Sequence, residues 1–247
     1  MRLSGKRVLV TGGASGIGRA TAIRVASEGA KVATFDVDEE GGQTAVKSIS
    51  KAGGEGRFWT VDVSKETDVK SAVASAIEWL GGEIDVLINV AGVLKGANVE
   101  IDEFPEETWD FVLDINLKGM FLVTKHVAGY MKKQHSGVII NTSSGAGVFG
   151  GSSSYAYGSS KGGTHGFTMV LEGHLAPHGI RVNDVLPGSL DTPLKRAQVE
   201  ETYRRTGDKA TYERTIGGLL SPDGVASVMA FLASDDAKYV RGGIRTL

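Results

Sequence analysis

The sequence contains no cysteine, which excludes disulfide staples, thiolate zinc sites and a cysteine nucleophile together. It has no excess of positive charge either. The formal net charge is −2 and the 27 lysines and arginines are scattered, so nothing provides the basic field that nucleic acid or anionic lipid needs. No apolar run approaches the ~18 residues of a membrane span. The opening MRLSGKRVLV has neither an apolar signal region nor a small-residue cleavage site, and a cytoplasmic protein without a membrane segment is expected. His126, His135, His165, His174 and His178 show no convergent spacing, so no metal site is expected. Internal repeats, low-complexity linkers and breaks in composition are absent, which predicts one domain over residues 1–247.

What is present is an ordinary globular composition, 41% hydrophobic and 23% charged over 247 residues, enough for one large core. RVLVTG, KVATFDV, RFWTVDV, IDVLINV, GVIINTSS and IRVNDVLPG read as strands, with helix-like segments near 16–29, 39–52, 66–80, 106–133 and 155–177. Near-continuous apolar strands separated by crossover helices predict a parallel sheet covered on both faces, the doubly wound Rossmann fold of the α/β class. Right-handed crossovers put the strand C-termini along one edge, where such sheets bind ligands. The least regular region, 188–221, follows a strand on that edge and is expected to be a substrate loop or lid.

VLVTGGASGIGRA, Val8 to Ala20, follows the first strand and opens a helix. Gly12 can make the tight turn there, Gly16 can let backbone approach a pyrophosphate, and Gly18 can permit close helix–strand packing. Taken alone, a merely structural glycine-rich turn is the competing reading. Asp36 ends the second strand 18 residues beyond Gly18, where a carboxylate can accept hydrogen bonds from an adenosine ribose. It would repel a ribose 2′-phosphate, and Val37 supplies no compensating cation, so NAD is favoured over NADP. Asp36 could instead start a polar turn with Asp38, Glu39 and Glu40.

Tyr157 and Lys161 lie four residues apart in YAYGSSKGG, on one face of an expected helix. A cation beside the phenol would favour phenolate and bring its proton transfer toward neutral pH, a chemistry suited to alcohol oxidation. Together with INTSSGAG, LINVAG, DINLKG and IRVNDVLPGSLDTP, these pieces resemble the short-chain dehydrogenase/reductase family over nearly the whole chain.

The resemblance implies that Tyr157 is the general acid/base and that Lys161 lowers its pKa and hydrogen-bonds the nicotinamide ribose. It implies that Ser144, rather than Ser143, holds the substrate oxygen, and that Asn116 supports a helix bend and a water-mediated proton path. Asp62 with Val63 would meet the adenine. Asn89, Ala91 and Gly92 would shape the adenosine wall, and Ile17 would lie with Ser15 by the phosphates. Pro187, Gly188 and Thr192 would embrace the nicotinamide. Asp62 could also cap a turn, Pro187 and Gly188 could end a strand, and Thr192 could cap a helix.

The implied activity is hydride exchange between NAD(H) and a small-molecule alcohol or ketone, in a homodimer or homotetramer formed through the helices near 106–133 and 155–177. An NADPH-dependent 3-oxoacyl-carrier-protein reductase is the nearest alternative, opposed by Asp36 and by the absence of a basic residue at Ser15. A nucleotide-binding scaffold without chemistry is the other. Two departures from the family pattern are visible. Val90 stands where many relatives have a second asparagine, and YVRGGIRTL stops where relatives usually continue through a last strand into a tail.

Overall fold

Seven short runs of β-branched and apolar residues pair side by side in the computed structural model, which describes residues 1–247. They are β1 Arg7–Thr11, β2 Lys31–Asp36, β3 Glu55–Thr60, β4 Val86–Asn89, β5 Gly137–Thr142, β6 Ile180–Leu186 and β7 Gly242–Arg245. All pair in parallel in the order β3-β2-β1-β4-β5-β6-β7. The order reverses between β1 and β4, the switch point at which such sheets open a crevice at their C-terminal edge.

Alternation along the strands assigns each face of the sheet to its helices. Leu9, Ala33, Leu87, Ile139 and Val182 point to one side, under α3 (Glu66–Leu80), α5 (Met120–Gln134) and α7 (Tyr155–Leu175). Val8, Val32, Val86, Ile88 and Ile140 point to the other, under α1 (Gly16–Ser27), α2 (Glu39–Lys51) and α10 (Asp223–Ala233). No helix is long and apolar enough to cross a membrane.

One expected helix is divided, and two further stretches hold helices that periodicity does not delimit. The segment expected as one helix near 106–133 is α4 (Glu106–Leu113), a widened π-type turn over Asp114–Gly119, and then α5. Asn116 sits in the widened turn, with its side chain bonded to the backbone of Val93. The irregular 188–221 region contains α8 (Pro193–Thr206) and α9 (Lys209–Gly217), and its ends are clasped by a Leu190–Leu220 bridge. α10 escapes periodicity because it is apolar nearly all round, with Val225, Ala226, Met229, Ala230, Leu232 and Ala233 all buried.

The segment thought to stop short of a last strand forms that strand itself. β7 pairs with β6 in the register Val185↔Ile244 and Leu186↔Arg245. Its two glycines and half-exposed edge position hide it from a pattern search.

Candidate active site

The glycine turn is built by close backbone approach. Gly12 has φ +70°, and a Cβ there would lie 2.8 Å from the Ala91 nitrogen; one on Gly18 would lie 2.0 Å from the Gly12 carbonyl oxygen. Alanine at Gly18 would therefore push α1 off the turn, and alanine at Gly12 would push the turn away from the loop after β4. Thr11 Oγ1 accepts from the Val90 and Ala91 N–H groups at 3.1 and 3.2 Å, tying the loop after β4 to the same turn. Ser15 caps α1 without a side-chain bond, and the helical ladder begins only with Arg19 N–H to Ser15 C=O. The N–H groups of the first helical turn thus stand free at the crevice, where the helix dipole favours an anion.

A cleft of about 260 Å³ runs from this turn along the sheet edge. Gly12, Ser15, Gly16, Ile17 and Gly18 form its floor, and Asp36, Asp62 and Val63 line one end. Ala91 and Gly92 form a wall, and Tyr157, Lys161 and Thr192 close the other end. Asp36 has a structural duty besides its place in the cleft: Oδ2 accepts from the Ala14 N–H at 3.0 Å, and Oδ1 from the Asp38 N–H at 3.1 Å. Asp62 caps its turn through the Ser64 N–H and Oγ and pairs with Lys65 at 3.3 Å. Those Ser64 bonds hold its carboxyl below the usual range, with Lys65 adding to the effect against partial burial.

Not every expected residue reaches this cleft. Asn89 turns inward, donating to Thr124 Oγ1 at 3.1 Å and Asn141 Oδ1 at 3.0 Å. The parallel register pairs it with Asn141 on β5, so its amide belongs to a buried polar rung between strands and only the following backbone reaches the wall. Pro187 and Gly188 line a neighbouring cleft of about 610 Å³ together with Ser144. The two clefts share Ile17, Thr142, Tyr157, Thr192 and Leu194, so Tyr157 stands at their junction.

Ser154 sets the tyrosine's place. Its hydroxyl caps α7 by accepting from the Tyr157 N–H at 3.3 Å and donates to the Lys95 carbonyl at 2.6 Å. One turn on, Lys161 is buried and its Nζ donates to the Thr142 carbonyl at 2.7 Å, 5.8 Å from the Tyr157 ring centre. Asn116 braces the back of the site, donating to Ser160 Oγ at 3.0 Å and holding Val93 from both sides.

The electrostatics of the pair follow from burial first. Burial pushes the Tyr157 phenol above its usual range, and the hydrogen bond with Ser144 opposes it. Burial lowers Lys161 to about 8. The cation is aimed at Thr142 rather than at the phenol, so Ser144 is the neighbour that favours phenolate.

Ser143 and Ser144 part company at the end of β5. Both border the larger cleft, but Ser143 is buried and donates its hydroxyl to Asp184, whereas the Ser144 hydroxyl accepts from the Ala146 N–H beside Tyr157. Asp184 is wholly buried on β6 and also accepts from His165 Nδ1 on α7 at 3.0 Å. His165 lies four residues beyond Lys161, so one stripe of α7 holds three consecutive residues of the β5 end: Thr142 through Lys161, Ser143 through His165 and Asp184, and Ser144 beside Tyr157. Neither Asp184 nor His165 is identified from sequence as part of the site. The available signal is an aspartate within the strand IRVNDVL, flanked by Asn183 and Val185.

A short chain dehydrogenase family model matches residues 6–202. The 3-oxoacyl-acyl-carrier-protein reductase FabG of Thermotoga maritima is 38% identical over 244 residues, covering 99% of this chain and 96% of the relative. NAD+-bound xylitol dehydrogenase superposes with a TM-score of 0.92 at 34% identity, covering 99% of this chain and 98% of that one. An actinorhodin polyketide ketoreductase with NADPH gives 0.88 at 34% identity, covering 100% and 97%.

Proposed function

The chain belongs to the short-chain dehydrogenase family and is an oxidoreductase acting on CH–OH groups; we propose that it uses NAD(H) on a secondary alcohol or its ketone, with Tyr157 moving the proton. The observation that carries this reading is the place of Tyr157, at the junction of a glycine-floored cleft and a second cleft containing Ser144.

The residues fit a nicotinamide dinucleotide. Backbone alone floors the phosphate end, in a cradle that a Cβ on Gly12 or Gly18 would fill, with free N–H groups at the start of α1. Asp36 at the far end suits ribose hydroxyls and opposes a 2′-phosphate, while Val37 beside it is exposed and uncharged. Lys161 and Thr192 stand at the end nearest Tyr157, where they would hold the nicotinamide ribose and carboxamide. When bound, the nicotinamide gives or takes the hydride.

The chain's own residues then handle the oxygen and its proton. Tyr157 and Ser144 converge on one oxygen: the serine hydroxyl orients it, and the phenol gives up its proton when a ketone is reduced. The raised phenol pKa keeps that proton in place at neutral pH. In oxidation the same phenol oxygen receives the alcohol proton, which demands the phenolate that Ser144 favours. Lys161 holds the end of β5 through Thr142, and Asn116 keeps the 93 loop and α7 in register behind it.

The similarity to FabG and to a ketoreductase with NADPH supports a second reading, an NADPH-dependent reductase of carrier-bound 3-oxoacyl groups. Asp36 distinguishes the two by charge. A panel of secondary alcohols and ketones, followed by NADH and NADPH absorbance, decides between them. Turnover with NAD(H) supports the proposal; turnover with NADPH alone supports the alternative, and cofactor binding without turnover on any member would reduce the protein to a scaffold.

A further inference from the structure

Resting on the oxidoreductase reading of this cleft, we propose that the substrate carries an anionic group, carboxylate or phosphate, on the same small molecule as its carbinol or carbonyl carbon, received by Lys195 and Arg245. Both side chains line the larger cleft together with Ser144 and Tyr157, and no aspartate or glutamate side chain does. The charged side chains of the lining are thus of one sign, and the other charge at this cleft is the terminal carboxylate on Leu247.

Lys195 is the stronger of the two observations. It is half-buried, and its Nζ donates to the neutral amide oxygen of Gln198 at 2.9 Å. Burial lowers its pKa with no carboxylate raising it. Other cations that are partly buried meet an acidic side chain, as Lys6, Arg7 and Lys31 do. Lys195 also stands in the first turn of α8, which contains no acidic residue, so the helix dipole adds to the uncompensated positive potential. A partly desolvated cation without a counter-charge is costly unless a ligand supplies one.

Arg245 approaches from the opposite side of the chain's topology. Its register opposite Leu186 on β6 puts it at the C-terminal edge of the sheet, just before Pro187 and Gly188 leave for the cleft. The guanidinium lies over the Phe149 ring at 5.3 Å and is otherwise exposed. Stacking of this kind holds the planar group while leaving its N–H donors free, the form in which arginine takes carboxylate or phosphate. Leu94, Phe149 and Leu194 give the cleft apolar surface for the carbon skeleton.

The test separates binding from turnover. Acetoacetate and its neutral amide are titrated calorimetrically into protein saturated with oxidised cofactor, a pairing that cannot react. Acetoacetate is expected to bind at least tenfold more tightly than the amide, with the advantage shrinking as salt is raised. Lys195→Gln and Arg245→Gln should each cut that ratio several-fold, with melting temperature confirming the fold. Glycerol phosphate against glycerol, titrated into protein saturated with reduced cofactor so that the alcohols cannot react, repeats the measurement for phosphate and identifies which anion is preferred. Equal binding of charged and neutral partners in the wild type, or a ratio untouched by both substitutions, overturns the proposal even if neutral alcohols are turned over. Selective binding of the anions without oxidation or reduction of any panel member leaves the anion site standing and overturns the oxidoreductase reading instead.

Discussion

The carboxylate of Asp36 accepts a hydrogen bond from the Ala14 N–H at 3.0 Å, so the group proposed to meet the adenosine ribose also ties the end of β2 to the glycine turn. NAD(H) should therefore exceed NADP(H) by at least tenfold in kcat/KM, about 1.4 kcal/mol. Replacing Asp36 with Ala and the exposed Val37 with Arg should narrow or reverse that preference and also cost about 1 kcal/mol of stability through the lost tie. Asp36→Asn keeps an acceptor for Ala14 and should narrow the preference with little change in melting temperature. Equal use of both cofactors by the wild type would remove the role given to Asp36.

Tyr157→Phe deletes a proton donor and leaves the ring packing. Turnover should fall by ~10²–10⁴-fold while NADH affinity, read by fluorescence titration, stays close to wild type. More than half the activity remaining would sink the mechanism. Ser144→Ala should also lower turnover, and it should move the basic limb of the oxidation profile to higher pH, because it removes the hydrogen bond that pulls the phenol pKa down.

Lys161 links activity to stability with a definite sign. Its pKa in the folded protein is about 8, below the ordinary lysine value of 10.5, so the folded state holds fewer protons than the unfolded one between those two values. Stability from this group therefore rises as pH increases from about 8 to 10.5, and below 8 the buried ammonium is a cost on the order of 3 kcal/mol. Against this stands the lost bond to Thr142. Lys161→Met should be at least as stable as wild type at pH 7, lose that advantage as pH rises toward 10.5, and lose most activity throughout. Thermal melts across that range, with assays at pH 7, check all three.

Asp184→Ala leaves the Ser143 hydroxyl and His165 without their shared buried acceptor. A loss of about 1–3 kcal/mol is expected, with a melting temperature several degrees lower. Turnover should drop as Ser144 loses its neighbour's anchor, although Asp184 touches neither cleft. Asp184→Asn, which keeps an acceptor, should recover most of the kcat; an alanine variant with wild-type kcat would show that Ser143 needs no anchor.

Assembly should use the outward stripe of α7. Met169 and Val170 are exposed, and Gly166 and Gly173 have open space where a Cβ would stand, whereas Gly162 faces Gly147 and Gly163 faces Leu117 within the same chain. Phe121 on α5, edge-on to Phe167 and itself exposed, extends the apolar surface. Light scattering should give about twice the 25.9 kDa of one chain, and Val170→Glu should shift it toward one. A single-chain mass for the unaltered protein rejects the interface.

Local spacing carried the parts of this protein that one element or one turn can express. Strand runs and crossover lengths specify the doubly wound sheet, the spacing of Gly12, Gly16 and Gly18 specifies a tight turn from β1 into α1, and the four-residue spacing of Tyr157 and Lys161 places them on one helical face, since each depends only on backbone period and neighbouring residues. Tertiary structure alone decided what meets across elements. Asp184 joins Ser143 from 41 residues away and His165 from 19, because the β5–β6 register and the crossing of α7 superimpose them. Asn89 faces Asn141 rather than the cleft for the same reason, and Lys161 is aimed at the Thr142 carbonyl rather than the phenol. The apolar run on α7 divides between core and surface only once the sheet beneath it is in place: Leu171 packs inward and Val170 outward. Lys195 and Arg245, 50 positions apart, share a cleft because β7 lies next to β6 and α8 follows β6. Periodicity reports which side of an element is buried, and the partner on that side is chosen by strand order, register and helix crossing, which no local window contains.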